Sequence, residues 1–239
     1  MENTNVINRQ TISSEEFSRQ CSMTHVRNFR GNENKFLNSA IADTVLENKM
    51  LDSSEFNYSA LENIVFNNID FSSSEFKFCE FKNVVFNQCK LDYTHFDYAQ
   101  MADVKFVNCI MDNSKFDFAS GNAAFEACAL EGAEFHHTAL AVTLNKCNCS
   151  STEFNFSPSL EINACDSNFY RAEFNDTTLK GSVKDSVFSR TDFDGTNASL
   201  LKFENCSKRN LSVRGAVGVI ESSEDDDDDD DDIFDLDLD

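Results

Sequence analysis

Four histidines and nine cysteines hold the most versatile chemistry in this chain: proton transfer, nucleophilic attack and soft-metal ligation. Ligation needs such residues paired at short fixed spacings, and His25, His95, His136 and His137 have neither Cys nor Asp at a spacing typical of metal sites. Cys147-Asn148-Cys149 resembles half a metal clip, but both sulfurs fall on positions that the chain elsewhere fills with inward side chains. There is no Gly-rich phosphate loop, no Gly-x-Ser-x-Gly elbow and no His-Glu-x-x-His helix. Carboxylates are abundant, but acid–base catalysis needs a pair held in a cleft and not a row on a surface. The sequence therefore predicts no enzyme, no cofactor and no metal, and its carboxylates point to binding by charge.

What positions those carboxylates is a repeat of five. Every fifth residue from Phe36 to Phe116 is apolar, and two residues before each centre the chain usually carries Ser, Thr, Cys, Ala or Val. In a helix a step of five advances about 140° and smears the apolar set around the cylinder. In a strand it alternates faces and leaves half the phenylalanines in water. The chain must therefore turn a corner in every pentad. The small residues repeat in kind every twenty, Val84 with Val104, Cys89 with Cys109 and Ala99 with Ala119, so four pentads close one coil. The cysteine series continues through Cys128 and Cys147 at spacings of nineteen, as a vertical stack does when two coils have each lost a residue.

Stretches such as Cys89-Lys90-Leu91-Asp92-Tyr93 and Thr191-Asp192-Phe193-Asp194-Gly195 make the chain similar to the pentapeptide-repeat proteins. The resemblance extends over about three quarters of the chain. It implies an all-β fold, a right-handed quadrilateral β-helix with the centre and the small residue inward and the other three outward. At twenty residues per coil the repeat predicts roughly nine coils and a rod on the order of 43 Å long. The expected organisation is an N-terminal segment and cap over 1–33, the β-helix over 34–213, and an acidic disordered tail over 214–239. Ser13-Ser14-Glu15-Glu16 has capping-box spacing and predicts a short helix from about Ser14 to Ser22 over the open end. The register slips by one residue near Gly121, Ala141 and Gly181. Ser159 and Ala164, beside the only proline, Pro158, are poor centres and predict a thinner or kinked coil, or a small loop.

Cys79, Cys89, Cys109, Cys128, Cys147 and Cys206 fall on the small inward position, where a thiol packs as a small hydrophobe, as expected in a reducing compartment. No stretch reaches the length of a membrane span and the polar start lacks the regions of a secretory signal, so a cytoplasmic protein without membrane contact is the expectation.

The net charge of −22 is unevenly spread: residues 221–239 hold 13 acids and no base, and residues 34–213 hold 25 acids against 15 bases. Asp92, Asp112 and Glu131 each follow a centre in adjacent coils, with Asp97, Asp117 and His136 one face around. The tail offers Asp225, Asp226, Asp227, Asp228, Asp229, Asp230, Asp231 and Asp232, then Ile233, Phe234, Leu236 and Leu238. Such a run buries too little to fold alone. An extended chain advances about 3.3 to 3.6 Å per residue, close to the roughly 3.4 Å between phosphates of one DNA strand. An acidic run with an apolar end is similar to the tails of single-stranded-DNA-binding proteins, which recruit partners; this chain departs from them by ending at Asp239.

These carboxylates and tail residues are the expected partner-binding set. Within the family it resembles, quinolone-resistance and topoisomerase-modulating members mimic duplex DNA and bind the DNA-binding surface of gyrase. That likeness implies a DNA mimic that binds a basic, DNA-processing protein such as a type II topoisomerase, itself binding no nucleic acid, as a monomer or weak dimer. An alternative is an adaptor or effector scaffold secreted into a host cell, since Met1 to Ser14 also looks like an unfolded export leader. Another is a structural spacer whose acidic tail recruits a partner.

Overall fold

The computed structural model describes residues 10–13, 15–17 and 35–219. Its ten strands are β1 (Gln10–Ile12), β2 (Ser39–Met50), β3 (Ala60–Asp70), β4 (Glu80–Asn87), β5 (Gln100–Val107), β6 (Ser120–Glu126), β7 (Ala139–Asn145), β8 (Leu160–Cys165), β9 (Thr178–Lys184) and β10 (Asn197–Glu204). They form one parallel sheet in sequence order, so from β2 to β10 the chain makes eight turns of an all-β solenoid. The corner that the five-residue repeat demands is made two residues after each centre, where the backbone is left-handed, as at Asn63 (φ 54°), Asn83 (φ 51°) and Asn108 (φ 50°). Asn and Asp tolerate that region best among residues with a side chain, and they fill many of the corners.

We number the faces by their centres: face 1 carries Leu61, Phe81 and Met101, face 2 Phe66, Phe86 and Phe106, face 3 Phe71, Leu91 and Met111, and face 4 Phe76, Phe96 and Phe116. All of these centres are buried. On face 4 the rings from Phe56 through Phe76, Phe96, Phe116, Phe135, Phe154 and Phe174 to Phe193 stack at 4.6 to 5.2 Å. Rings of face 2 meet them edge-on, Phe106 lying 5.6 Å from Phe96 at 79°. One repeated slot of this size explains many phenylalanines and no tryptophan. Each buried ring contributes about 1.5 to 3 kcal/mol and each ring pair about 0.5 to 1.5 kcal/mol more.

The small inward residue has a second task. Its hydroxyl or thiol donates to a centre's carbonyl one coil back: Ser74 Oγ to Leu51 O at 2.9 Å, Thr94 Oγ1 to Phe71 O at 3.0 Å, Cys109 Sγ to Phe86 O at 3.4 Å. The cysteine stack is thus a column of buried donors, and Cys149, at a centre, is buried too. Burial pushes the Cys149 thiol up, and the neighbouring thiols of Cys128 and Cys89, with burial after them, push Cys109 up. Buried as they are, these sulfurs serve as packing groups.

The register slips are more regular than the sequence suggests. Phe106, Phe125, Leu144, Ala164 and Val183 pair in succession on face 2, and Gly121 pairs with Leu140 and Leu160 with Leu179 on face 1. Four consecutive coils have therefore lost one residue at the same corner, between faces 1 and 2. The coil missed by the sequence reading is that of Leu160, where an extra residue at Pro158-Ser159 before the strand offsets the one lost after it. Leu160 is the buried centre and Ser159 is exposed. The coil is neither interrupted nor looped out, since β8 pairs with β7 and β9 throughout. The block begins and ends in register shifts, against β5 and β10. At two of these corners a side chain is forbidden: a Cβ on Gly121 (φ 101°) would fall on the carbonyl of Met101, and one on Gly181 (φ 117°) on that of Ile162.

At the N-terminal end β1 adds to β2. Glu16 N donates to Ser13 Oγ at 3.2 Å, half of the expected capping box, and one helical turn over 15–17 inserts Phe17 against Phe36 and Phe56. The rest of the expected helix, from 18 to 22, lies outside the described residues. At the other end paired backbone continues past Val213 to Val217, which bridges Asn197.

Candidate functional site

Because face 3 advances one coil per pairing, Lys90 to Ile110 to Ala129, the residues two further on stand in one column. Asp92, Asp112 and Glu131 are thereby brought together as expected. Asp112 Oδ1 accepts the Glu131 backbone N–H at 3.0 Å, so each side chain lies against the next coil. Burial pushes the Asp92 carboxyl up from its ordinary value and Asp70 adds to it; Asp112 is pushed up by burial, then by Asp92 and Glu131 on either side. Among the described residues no cation is within ion-pair distance of Asp92, Asp112 or Glu131.

Face 4 holds more acids, and several of them have a partner. Asp97 Oδ2 lies 3.0 Å from His95 Nδ1, and Asp117 Oδ1 accepts the His136 backbone N–H at 2.9 Å. His136 Nε2 lies 2.9 Å from Glu153, while Lys115 Nζ donates to both oxygens of Glu134 at 2.8 Å. Asn57 and then Lys77 hold Glu75 below its usual range, and the bond to Glu134 raises Lys115. Asp117, Glu134 and His136 converge closely enough to share a cation, but the Lys115 ammonium already occupies Glu134. Face 4 carboxylates are thus partly paired and still outnumber its bases, whereas Asp92, Asp112 and Glu131 have no ion pair among the described residues.

Charge also reverses along the axis. Residues 34–179 hold 21 acids and 9 bases, a net of −12, whereas residues 180–214 hold 4 acids and 7 bases, a net of +3. The acidic surface belongs to the first seven coils or so. Asp225 through Asp232, Ile233, Phe234, Leu236 and Leu238 lie outside the described residues.

Coil length, inward pairs and the corner two residues after each centre now agree with a sequence match: residues 59–122 fit the family described as a pentapeptide repeat region. That segment is a pentapeptide-repeat region, and the same parallel coil continues on either side of it. No curated protein matches the sequence. Similar solved structures include HetL, a pentapeptide-repeat protein involved in heterocyst differentiation regulation from the cyanobacterium Nostoc sp. strain PCC 7120. It is 13% identical with a TM-score of 0.48, over 87% of this chain and 98% of that one. A trypsin-treated form of QnrB1, a plasmid-mediated fluoroquinolone resistance protein, is 15% identical with a TM-score of 0.30, over 78% and 86% of the two chains. The pentapeptide-repeat protein Rfr23 of Cyanothece 51142 is 8% identical with a TM-score of 0.21, over 84% and 98%.

One surface feature of this solenoid was not anticipated. At the corner between faces 4 and 1, Tyr58, Phe78, Tyr98, Phe118, His137 and Phe156 follow one another coil by coil, all with left-handed backbone between 54° and 64°. Their rings stack face to face at 4.8, 4.7, 4.7, 5.0 and 5.5 Å. The signal is in the sequence, as four aromatics at intervals of twenty, each two residues past a centre.

Proposed function

We propose that the chain is a non-catalytic binding protein that presents its face 3 carboxylates, where a nucleic acid would present phosphates, to a basic DNA-processing protein. The observation that carries this reading is the column Asp92, Asp112 and Glu131, three acids in consecutive coils with no ion pair among the described residues, Lys90 acting on Asp92 only from beyond ion-pair distance. Like charges in register cost stability, so a column of them argues for a use. Over residues 34–179 the net charge of −12 is spread along about 35 Å, where duplex DNA carries roughly 20 phosphates. The density is about three fifths that of a duplex, on a backbone that hydrogen bonds hold rigid before the partner arrives.

A type II topoisomerase is the partner class the reading names first, in the cytoplasm, with Asp225–Asp232 as a second acidic contact.

The test is an affinity capture from bacterial lysate with the full chain and a chain ending at Glu221 side by side, with and without competing duplex DNA. A partner released by DNA supports the reading, and the comparison of the two chains locates the contact on the solenoid or the tail. A partner indifferent to DNA overturns it.

A further inference from the structure

The aromatic ridge calls for its own account. A side chain at a left-handed corner costs about 1 to 2 kcal/mol, and Asn, Asp or Gly is the usual occupant. Ring stacking returns about 0.5 to 1.5 kcal/mol per pair, so as a structural device the ridge is close to neutral. It nevertheless leaves Tyr58, Phe78, Tyr98, Phe118 and Phe156 between 40% and 47% exposed, in a straight line of five steps that runs about 25 Å. Asn38 and Asp176 bound it at the same corner, so the apolar stripe is confined to six coils. Because the rings are stacked on one another, their edges and not their faces meet solvent. That excludes cations sitting over ring faces along the stripe and leaves apolar burial as its means of attraction.

The two flanks differ. On one side face 4 places Glu75, Asp97, Asp117, Glu134 and Glu153 beside the rings, an excess of acid over the interspersed Lys77 and Lys115. On the other, face 1 presents the uncharged and mostly small Gln100, Ala102, Ser120, Asn122, Ala139 and Ala141 beside Tyr98, Phe118 and His137, and charged Glu62, Glu80 and Lys82 only beside Tyr58 and Phe78. A second copy of this chain is a poor occupant, because antiparallel ridges would bring two rows of face 4 carboxylates together and parallel ridges would set each row against face 1, which has few bases to answer it. The complement is a straight element with an apolar stripe and bases along one side. From these flanks we infer that the ridge docks a basic amphipathic helix lying along the solenoid axis. About seventeen helical residues cover 25 Å. The apolar stripe of such a helix lies on the ring edges and face 1, and its lysines or arginines reach the face 4 acids. This goes beyond the phosphate-mimic reading, since a phosphate backbone has no apolar stripe and the ridge lies on a different part of the surface.

The probe is an 18-residue helical peptide of leucine and lysine with one apolar face, measured by fluorescence anisotropy against the full-length protein. A lysine–serine peptide of equal charge and a leucine–glutamate peptide of equal amphipathicity are the controls. The variant Phe78→Asn/Tyr98→Asn/Phe118→Asn installs the residue that the corners at Asn63 and Asn83 already carry. Its affinity for the leucine–lysine peptide is expected to fall at least tenfold, with the lysine–serine peptide changing less than twofold and the leucine–glutamate peptide binding neither protein. If the triple variant loses its far-UV circular dichroism, Phe118→His, matching His137 of the same column, keeps a ring in the stack and is expected to weaken the leucine–lysine peptide about threefold. Leucine–lysine affinity within twofold of wild type in a folded triple variant, or an equal loss for the lysine–serine peptide, overturns the inference. The variant Asp92→Asn/Asp112→Asn/Glu131→Gln separates the two sites: it leaves leucine–lysine binding within twofold if the ridge is the contact, whereas the phosphate-mimic reading requires it to lose the DNA-competed partner.

Discussion

Replacing Asp112 with Asn should stabilise the protein, because the fold holds that carboxylate between two others. Successive coils are about 4.8 Å apart. At that distance two like charges repel by about 0.9 kcal/mol in water and about 3.5 kcal/mol at the effective dielectric of a protein surface. Asp112 is only half buried and salt screens it within about 8 Å, so the lower end applies, near 0.5 kcal/mol per neighbour. With Asp92 on one side and Glu131 on the other, the gain is about 1 kcal/mol, or roughly 2 to 4 °C in Tm for a chain of this size. The Asn keeps an Oδ1 to accept the Glu131 N–H, so the hydrogen bond at 3.0 Å survives the exchange. The pH dependence follows from the direction of the shift. The folded-state value of Asp112 is raised, so its penalty is present at pH 7, is relieved as pH falls through that value, and is gone below the ordinary value of about 3.9. Thermal unfolding of Asp112→Asn and wild type at pH 7 and pH 3, each in low and high salt, reads all three. An equal gain at pH 3, or no gain at pH 7 in low salt, refutes the reasoning.

The corrected register makes a sharp pair: Leu160→Ala should lose about 2 to 5 kcal/mol, whereas Ser159→Ala should stay within about 0.5 kcal/mol by denaturant unfolding. The reverse order would restore Ser159 as the centre. Gly121→Ala should lose at least about 2 kcal/mol, because the new methyl meets the Met101 carbonyl at a backbone angle of 101°. An unchanged Tm would show that the corner relaxes.

The coil, its inward pairs and the face 3 column were legible because a period of twenty places residues over one another without reference to contacts. Asp92, Asp112 and Glu131 follow from counting alone. The pairing of His95 with Asp97 was legible in principle, since residues two apart on a strand share a side, but the pair carries no recognised ligand spacing. The lost residue after Leu160 was hidden because the extra residue at Pro158-Ser159 restores the count before the next centre. The ridge was missed because Phe78 and Phe118 fall on outward positions, which the inward pattern of centres and small residues leaves unread; the same corners carry Asn at Asn63, Asn83 and Asn108. Summing charge over 34–213 concealed its reversal near residue 180, and with it the confinement of the acidic surface to the earlier coils.

The most direct test of the central claim is displacement of DNA. A fluorescent duplex bound to a type II topoisomerase is titrated with the full-length protein and with Asp92→Asn/Asp112→Asn/Glu131→Gln, at two salt concentrations, and the anisotropy is followed. The account predicts that the wild-type protein displaces the duplex, more weakly at high salt, and that the variant needs at least ten times the concentration. A duplex that stays bound, or one that both proteins displace equally, would contradict it.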